Sequence, residues 1–447
     1  MPLAVAAALV ALLGLGALAV ARPAKPKLAT KRVSVRSDGK EVNADNDFPS
    51  VSGNGRYVSF ESVGRFTKGD ATASEDVFVH DRLNGRTRRA SLRSNGKQVP
   101  GGGANDSSIS NDGRFVAFHA EGAFTPADSN GTDDVYVKDM KTGKVKRASV
   151  RSDGSELPYD STEPAISGNG RYVAFASDGP FVGADTNGLV DVFRHDMKTG
   201  KTIRVSLRSD GSQAENDGFG FGGSSDPTIS NDGNVIGFEC TDDQMTADPD
   251  YDNKGDSDIF ARNVSAGTTV RVSIKPGGTE ASTSQSQSNR FPAISGNGRY
   301  VAFAADGFGP FAPGDTNNAY DVYVGDLKTG SVSRVSLQTD GSQSPDPSGV
   351  DAPSAISADG SRIAFESYGK LVPGDTNLLR DVYVRDRKAK RTLRISVTTK
   401  GKAVDGYSHQ LPGISADGHW VAFSSQGRFT AGDSGVDFDV FERGPLR

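Results

Sequence analysis

The chain has 447 residues, with 51 Lys and Arg against 56 Asp and Glu and a formal charge of −5. So balanced a charge excludes a domain made basic throughout to hold nucleic acid, and 35% hydrophobic residues beside 54 Gly exclude general disorder. The single cysteine, Cys240, excludes an intramolecular disulfide and a Cys-rich zinc site.

Met1 to Ala21 carries no charged side chain, and Leu3 to Val20 is apolar throughout. Ala19-Val20-Ala21 offers a small-x-small cleavage site. Residues 1–21 are therefore expected to be a secretory signal. The basic residues Arg22, Lys25, Lys27, Lys31 and Arg32 follow the run rather than precede it, which keeps an uncleaved anchor as the alternative. Residues 22–31 read as a short linker.

The remainder is a repeat. Ser52-Gly-Asn-Gly-Arg-Tyr-Val-Ser-Phe60 returns from Ser110, Ser167, Ser230, Ser295, Ser357 and Ser415, at steps of 57 to 65 residues. A second phrase, Asp-Val-(Phe/Tyr)-Val or close to it, begins at Asp76, Asp134, Asp191, Asp258, Asp321, Asp381 and Asp439. A third, Arg-(Val/Ala/Ile)-Ser, begins at Arg89, Arg147, Arg204, Arg271, Arg334 and Arg394. β-Branched and aromatic residues bounded by turn residues make each phrase a strand. Asn54-Gly55, Asp112-Gly113 and their counterparts read as two-residue hairpin turns.

Each unit is then a four-stranded antiparallel sheet. Strand A is the Pro-Ala-Ile-Ser piece, as in Pro164–Ser167; B is Tyr-Val-Ala-Phe, C is Asp-Val-Tyr-Val and D is Arg-Val-Ser-Leu. Such a sheet cannot cover both of its faces, and seven packed radially can. The predicted fold is all-β: a seven-bladed propeller over residues 32–447, with repeats starting near 48, 106, 163, 226, 291, 353 and 411. The seventh unit lacks a third phrase, while Arg32-Val33-Ser34-Val35 stands ahead of the first unit. Residues 32–36 are thus expected to form the outer strand of blade seven and to close the ring.

Repeats such as Glu163-Pro-Ala-Ile-Ser-Gly-Asn-Gly-Arg-Tyr-Val-Ala-Phe175 resemble the TolB-type, WD40-like propeller repeat of bacterial envelope proteins, over residues 32–441. The resemblance implies an extracytoplasmic propeller that binds protein or ligand. The Pro that usually precedes Asp-Gly is replaced here by Gly, Asn or Ala. No α/β domain is read ahead of the repeats, so the Tol–Pal role is not carried across.

The B–C connections hold the most suggestive side chains. Asp185-Thr-Asn187 with Asp191 recurs as Asp315, Asn317 and Asp321, as Asp375, Asn377 and Asp381, and more loosely as Asp128, Asn130 and Asp134. Oxygens at positions 1, 3 and 7 of a short loop can wrap a hard cation, with Ca²⁺ the candidate. The competing and preferred reading is turn chemistry, with Asx turns and the last Asp capping the loop. The fourth unit substitutes an acidic loop with Asp248, Asp250, Asp252, Asp256 and Asp258. The seven Asp residues opening strand C are expected to bond neighbouring loop backbone. Phe66, Phe124, Phe181, Phe311 and Phe429 are expected to pin the loops to the sheet. Basic clusters around Arg86–Arg89, Lys141–Arg147 and Arg385–Arg394 read as protection of an exposed outer edge. Cys240 reads as a small buried hydrophobe.

No catalytic or cofactor-binding residue is assigned; His80, His119, His195, His409 and His419 form no spaced ligand set. The B–C and D–A connections leave the sheets on one face, and recognition is placed there. The resulting expectation is a secreted or envelope-associated non-enzymatic scaffold, monomeric, with a protein or glycan partner on the loop face and no nucleic acid. Membrane contact is expected only through an uncleaved N-terminal segment. The alternatives are a polysaccharide lyase or hydrolase with a central metal site, and a purely structural surface protein.

Overall fold

The structure, a computed structural model, describes residues 27–447 apart from 72, 216–221, 243, 247–255, 275–287, 307–310, 351–352, 378, 405–407 and 434–436, and without the side chains of 408–411. The signal or anchor expected over residues 1–21 lies outside the described residues. So do most of the acidic loop of the fourth unit and much of the long D–A connections that follow units three and four. Among the described residues there is no helix long and apolar enough to cross a membrane.

The described strands form seven four-stranded antiparallel sheets, and no helix occurs among them. Six blades run A-B-C-D in chain order, as in Ser161–Ile166, Tyr172–Ser177, Asp191–Asp196 and Thr202–Arg204. The seventh takes its outer strand from the other end of the chain. Ala29–Arg32 pairs antiparallel with Asp439–Gly444, in the register Ala29 to Gly444 and Arg32 to Phe441. Val33 N continues to Val440 O at 2.8 Å.

Blades hold together because both faces of each sheet are apolar, and each interface has its own layer. Ala117, Val135 and Val137 of blade two meet Val173, Phe175 and Phe193 of blade three. The layer that closes the ring joins Val33, Ala422 and Val440 to Val58, Phe60 and Phe78. The loop phenylalanines extend these layers. Phe124 lies with its ring centroid 5.1 Å from both Phe118 and Tyr136. Cys240 is 1% exposed, and burial pushes its thiol up to about 12, which keeps it a protonated, unreactive packing group.

Two local expectations need correction. The Asn-Gly turn is not a two-residue turn. Gly55 alone of the pair has positive φ, at 64°, whereas a two-residue turn of that kind needs it at both positions. A longer loop is tied instead by side chains. Ser52 Oγ donates to Asn54 Oδ1 at 2.8 Å and accepts from Tyr57 N at 2.9 Å, while Asn54 Oδ1 also accepts from Arg56 N at 2.9 Å. This is why Ser, Asn or Asp, and Gly recur together. The outer strands also end where they were expected to begin. The strand is Ala29–Arg32 rather than Arg32–Val35, and Thr202–Arg204 rather than the run from Arg204. The arginine is the last residue of the ladder, opposite Phe193 in blade three, and the serine of the phrase lies beyond it.

Candidate functional site

The first constellation lies where strand C starts. Asp134 Oδ1 accepts from Ser149 Oγ at 2.5 Å, and Oδ2 accepts from Arg147 at 2.8 Å. Ser149 Oγ in turn accepts from Val135 N at 3.0 Å. The same Asp–Arg–Ser clamp occurs in every blade. In the seventh, Asp439 takes Arg32 at 2.9 Å and Ser34 at 2.6 Å. The partners of these aspartates are therefore side chains at the end of strand D, not loop backbone as the sequence suggested. The pairing of an Arg-x-Ser with every strand-opening Asp was the signal, since the three types recur in step. Arg89, Arg147 and Arg394 are buried in clamps, which corrects their reading as exposed edge charges.

The loop aspartates join the same guanidinium. Arg204 lies 3.1 Å from both Asp185 and Asp191. Arg334 lies 3.2 Å from Asp315 and 3.3 Å from Asp321. Arg394 lies 3.0 Å from Asp375 and 2.6 Å from Asp381. Arg147 lies 3.5 Å from Asp128 and also binds Glu156 at 2.7 Å. Tyr136, Tyr323 and Tyr383 donate their hydroxyls to Asp128, Asp315 and Asp375. The asparagines serve the loops: Asn187 and Asn317 donate to Ala214 O and Ser344 O at 3.2 and 2.8 Å, and Asn130 donates to Leu157 O at 2.8 Å. Asn377 reaches Asp375 and Asp381, each at 3.1 Å, once its amide is turned to suit its neighbours. Each group of candidate ligands thus surrounds a positive charge supplied by the chain itself. Glu41, Asp433 and Asp439 gather in the same way around Arg32.

The second constellation was not assigned from sequence. The seven inner strands surround a cavity of about 640 Å³. At one end the A–B loops form a collar. Asn54 N donates to Asn111 O, Asn111 N to Gly168 O, Asn169 N to Asn231 O, Asn231 N to Gly296 O, Asn297 N to Ala358 O, Ala358 N to Ala416 O, and Ala416 N to Gly53 O, all at 2.9–3.1 Å. The ring of bonds closes on itself and draws the loops tight; a Cβ at Gly168 would come within 2.3 Å of Asn111 and Asn231 atoms. Among the described residues the lining comes from the inner strands and, in blade six, from Pro353 and Ser354 just ahead of Ala355–Ile356, so the cavity is an axial funnel.

In six of the seven blades a β-bulge inserts an extra residue into the inner strand. In five blades it has a left-handed backbone although it is not glycine: Phe48, Asp106, Glu163, Asp226 and Phe291, with φ between 49° and 60°. Each such residue costs roughly 1–2 kcal/mol, so the side chain is displayed at the expense of backbone strain. Neighbouring blades brace the bulges. Glu61 accepts from Ser107 N at 2.7 Å, Glu163 accepts from Asp226 N at 2.6 Å, and Glu239 accepts from Phe291 N.

The wall differs from side to side. Blades two, three and four present Asp106, Glu163 and Asp226, while blades five, six, seven and one present Phe291, Pro292, Pro353, Ile356, Pro412, Ile414 and Phe48. Burial, reinforced by Asp226, pushes Glu163 up to about 7 and Glu239 up to about 8. Burial and then Asp106 raise Glu61 well above the usual carboxylate range. The signal was present in sequence: the bulge residue is the variable position ahead of an otherwise regular phrase, and it changes from Phe to Asp to Glu between copies.

Among the described side chains no histidine lines the funnel. His80 and His195 each bond a strand-D threonine, at 2.9 and 2.8 Å, and burial lowers both to about 4. His119 lies 3.4 Å from Asp106.

No protein-family model matches the sequence, and no curated protein does. Solved structures do. The chain is similar to an oligogalacturonate lyase in complex with manganese, at 11% identity and TM-score 0.54, over 94% of each chain. It is similar to the β-propeller domain of the Trilobed protease from Pyrococcus furiosus, at 13% identity and TM-score 0.52, over 90% of this chain and 95% of that one. That propeller has an open velcro topology, whereas here Ala29–Arg32 closes the seventh blade. TolB from Acinetobacter baumannii is matched at 14% identity and TM-score 0.40, over 72% of this chain, which spans 59% of TolB's length. The likeness to the β-propeller domain, together with the seven four-stranded sheets, supports a seven-bladed β-propeller as the fold.

Proposed function

We propose that this propeller is a non-enzymatic binding module that works outside the cytoplasm and holds a protein or glycan partner on its loop face. The observation that carries the reading is the funnel, which is collared at one end by the A–B loops and lined by side chains that break the sevenfold repeat. A rigid frame with a variable wall is a common design for recognition. The extracytoplasmic placement rests on the apolar run Leu3–Val20.

We further propose that the Asp-Thr-Asn loops are structural. Calcium there would have to displace Arg204, Arg334, Arg394 or Arg147 from paired carboxylates. Calorimetric titration is expected to give no heat at millimolar Ca²⁺ and no melting shift against chelator. Heat together with a stabilising shift would restore calcium.

The binding reading is tested by blocking one face at a time. Lys68 lies in a B–C loop and Lys141 in a C–D turn, both exposed, and Cys240 is too buried to compete for a maleimide. Lys68→Cys and Lys141→Cys, each carrying a maleimide polymer, would be used in pull-downs from culture supernatant and on a glycan array. Blocking at position 68 is expected to remove capture and blocking at 141 to leave it. Equal capture by both would contradict a loop-face site.

A further inference from the structure

Resting on that reading, we propose that the funnel takes a short basic segment of a partner polypeptide, with Lys or Arg against the wall of blades two to four and an apolar side chain against the opposite wall. Asp106, Glu163 and Asp226 stand on consecutive blades around one cavity. Among the described residues no Lys or Arg forms an ion pair with any of the three; exposed Arg290 acts on Asp226 from blade five. This is the reverse of the clamps, where every buried carboxylate pair already holds a guanidinium.

A second observation points the same way. His119, 9% exposed, carries an Nδ1 with no hydrogen-bond partner, directed at Asp106 Oδ2 across 3.4 Å. A buried polar atom without a partner is costly, and here it adjoins a carboxylate of the lining. A cationic group seated among Asp106, Glu163 and Asp226 would relieve their mutual repulsion, which also contributes to the upward shift of Glu163.

The opposite wall separates a basic segment from a bare cation. An ion or a polyamine would leave Phe48, Phe291, Ile356 and Ile414 against water, whereas a Lys or Arg beside Leu or Phe covers both walls. The inner strands pair on one side only, so some of their backbone groups face the axis and can meet the amides of a peptide.

The experiment uses fluorescence anisotropy at low salt with three probes: a labelled hexapeptide alternating Lys and Leu, the same peptide with Glu for Lys, and labelled spermidine. The Lys–Leu peptide is expected to bind and to lose at least tenfold in affinity in D106N/E163Q/D226N, with circular dichroism and melting showing the variant folded. Its affinity is also expected to fall with added salt. The Glu–Leu peptide is expected not to bind. Binding of spermidine as tight as that of the Lys–Leu peptide would overturn the apolar half of the proposal. Unchanged affinity in the triple variant, or no binding of the Lys–Leu peptide at millimolar concentration, would overturn all of it. An uncharged Leu–Ser peptide that binds and is lost in Phe48→Ala would overturn the basic ligand while leaving the binding module intact.

Discussion

The rim and the axis of this propeller use the same chemistry to opposite ends. At the rim, seven aspartates opening strand C each meet a serine and an arginine, and the arrangement barely varies around the ring. At the axis, the residue at the bulge is Phe, Asp, Glu, Asp and Phe in the first five blades, and among the described residues no Lys or Arg forms an ion pair with its carboxylates. Positions that every blade shares are those that every blade needs to fold. A position free to differ, yet fixed in a strained backbone, is available for a ligand.

Removing the seventh outer strand is expected to have the largest effect, and removing one member of the rim the next largest. A chain starting at Val35 loses the ladder with Asp439–Gly444, the bond from Thr30 to Val397 O and both clamp partners of buried Asp439. Its loss of stability in urea unfolding is expected to be about 5 kcal/mol or more. A truncated chain that unfolds like the intact one would show that the ring does not depend on this strand. Next comes Arg204→Met, which leaves Asp185 and Asp191 facing each other in the interior with 5% and 1% side-chain exposure. A cost of about 3–5 kcal/mol is expected, and pairing it with Asp191→Ala should cost less than the sum of the two.

Gly113→Ala sharpens the comparison from the side of the turns. Its φ is 72°, and a Cβ would fall 2.0 Å from the Tyr57 ring of the preceding blade, so a loss of about 1–3 kcal/mol is expected by thermal melting. The smallest effect concerns the axis and appears only with pH. Glu239 is held protonated up to about 8 by burial and by Asp226. A carboxyl whose folded pKa lies above its unfolded value stabilises fully below the unfolded value and loses that contribution as pH rises through 8. The native chain should therefore lose melting temperature between pH 5 and 9, and Glu239→Gln should lose less over the same span. An identical slope for both would remove Glu239 as the cause.

The seven repeats, the four strands of each and the closing role of the N-terminal segment were legible because β-branched runs, Asn-Gly signals and a missing copy of one phrase are local facts of sequence. The clamp was only half legible. Asp191, Arg204 and Ser206 could each be seen to recur, but that they meet depends on the register between two strands, which no single phrase encodes. The Asp-Thr-Asn spacing suggested a cation, and the cation found there is Arg204, 13 residues from Asp191 in sequence. The funnel was least legible. A left-handed Asp106 ahead of Ser107 leaves no mark of the kind that Gly or Pro leaves at a turn, and the contrast between acidic and apolar walls exists only once seven blades surround an axis.

Blade two offers the most direct test, since it carries both kinds of aspartate. Asp134, 2% exposed, holds Arg147 and Ser149; Asp106 lines the funnel with a side chain 39% exposed. Urea unfolding of Asp134→Asn beside Asp106→Asn isolates position from chemistry. The first is expected to lose several kcal/mol and the second to match or slightly exceed the native chain, since Asn tolerates the left-handed backbone. Equal losses at both positions would contradict the division between a rim built for folding and an axis left for binding.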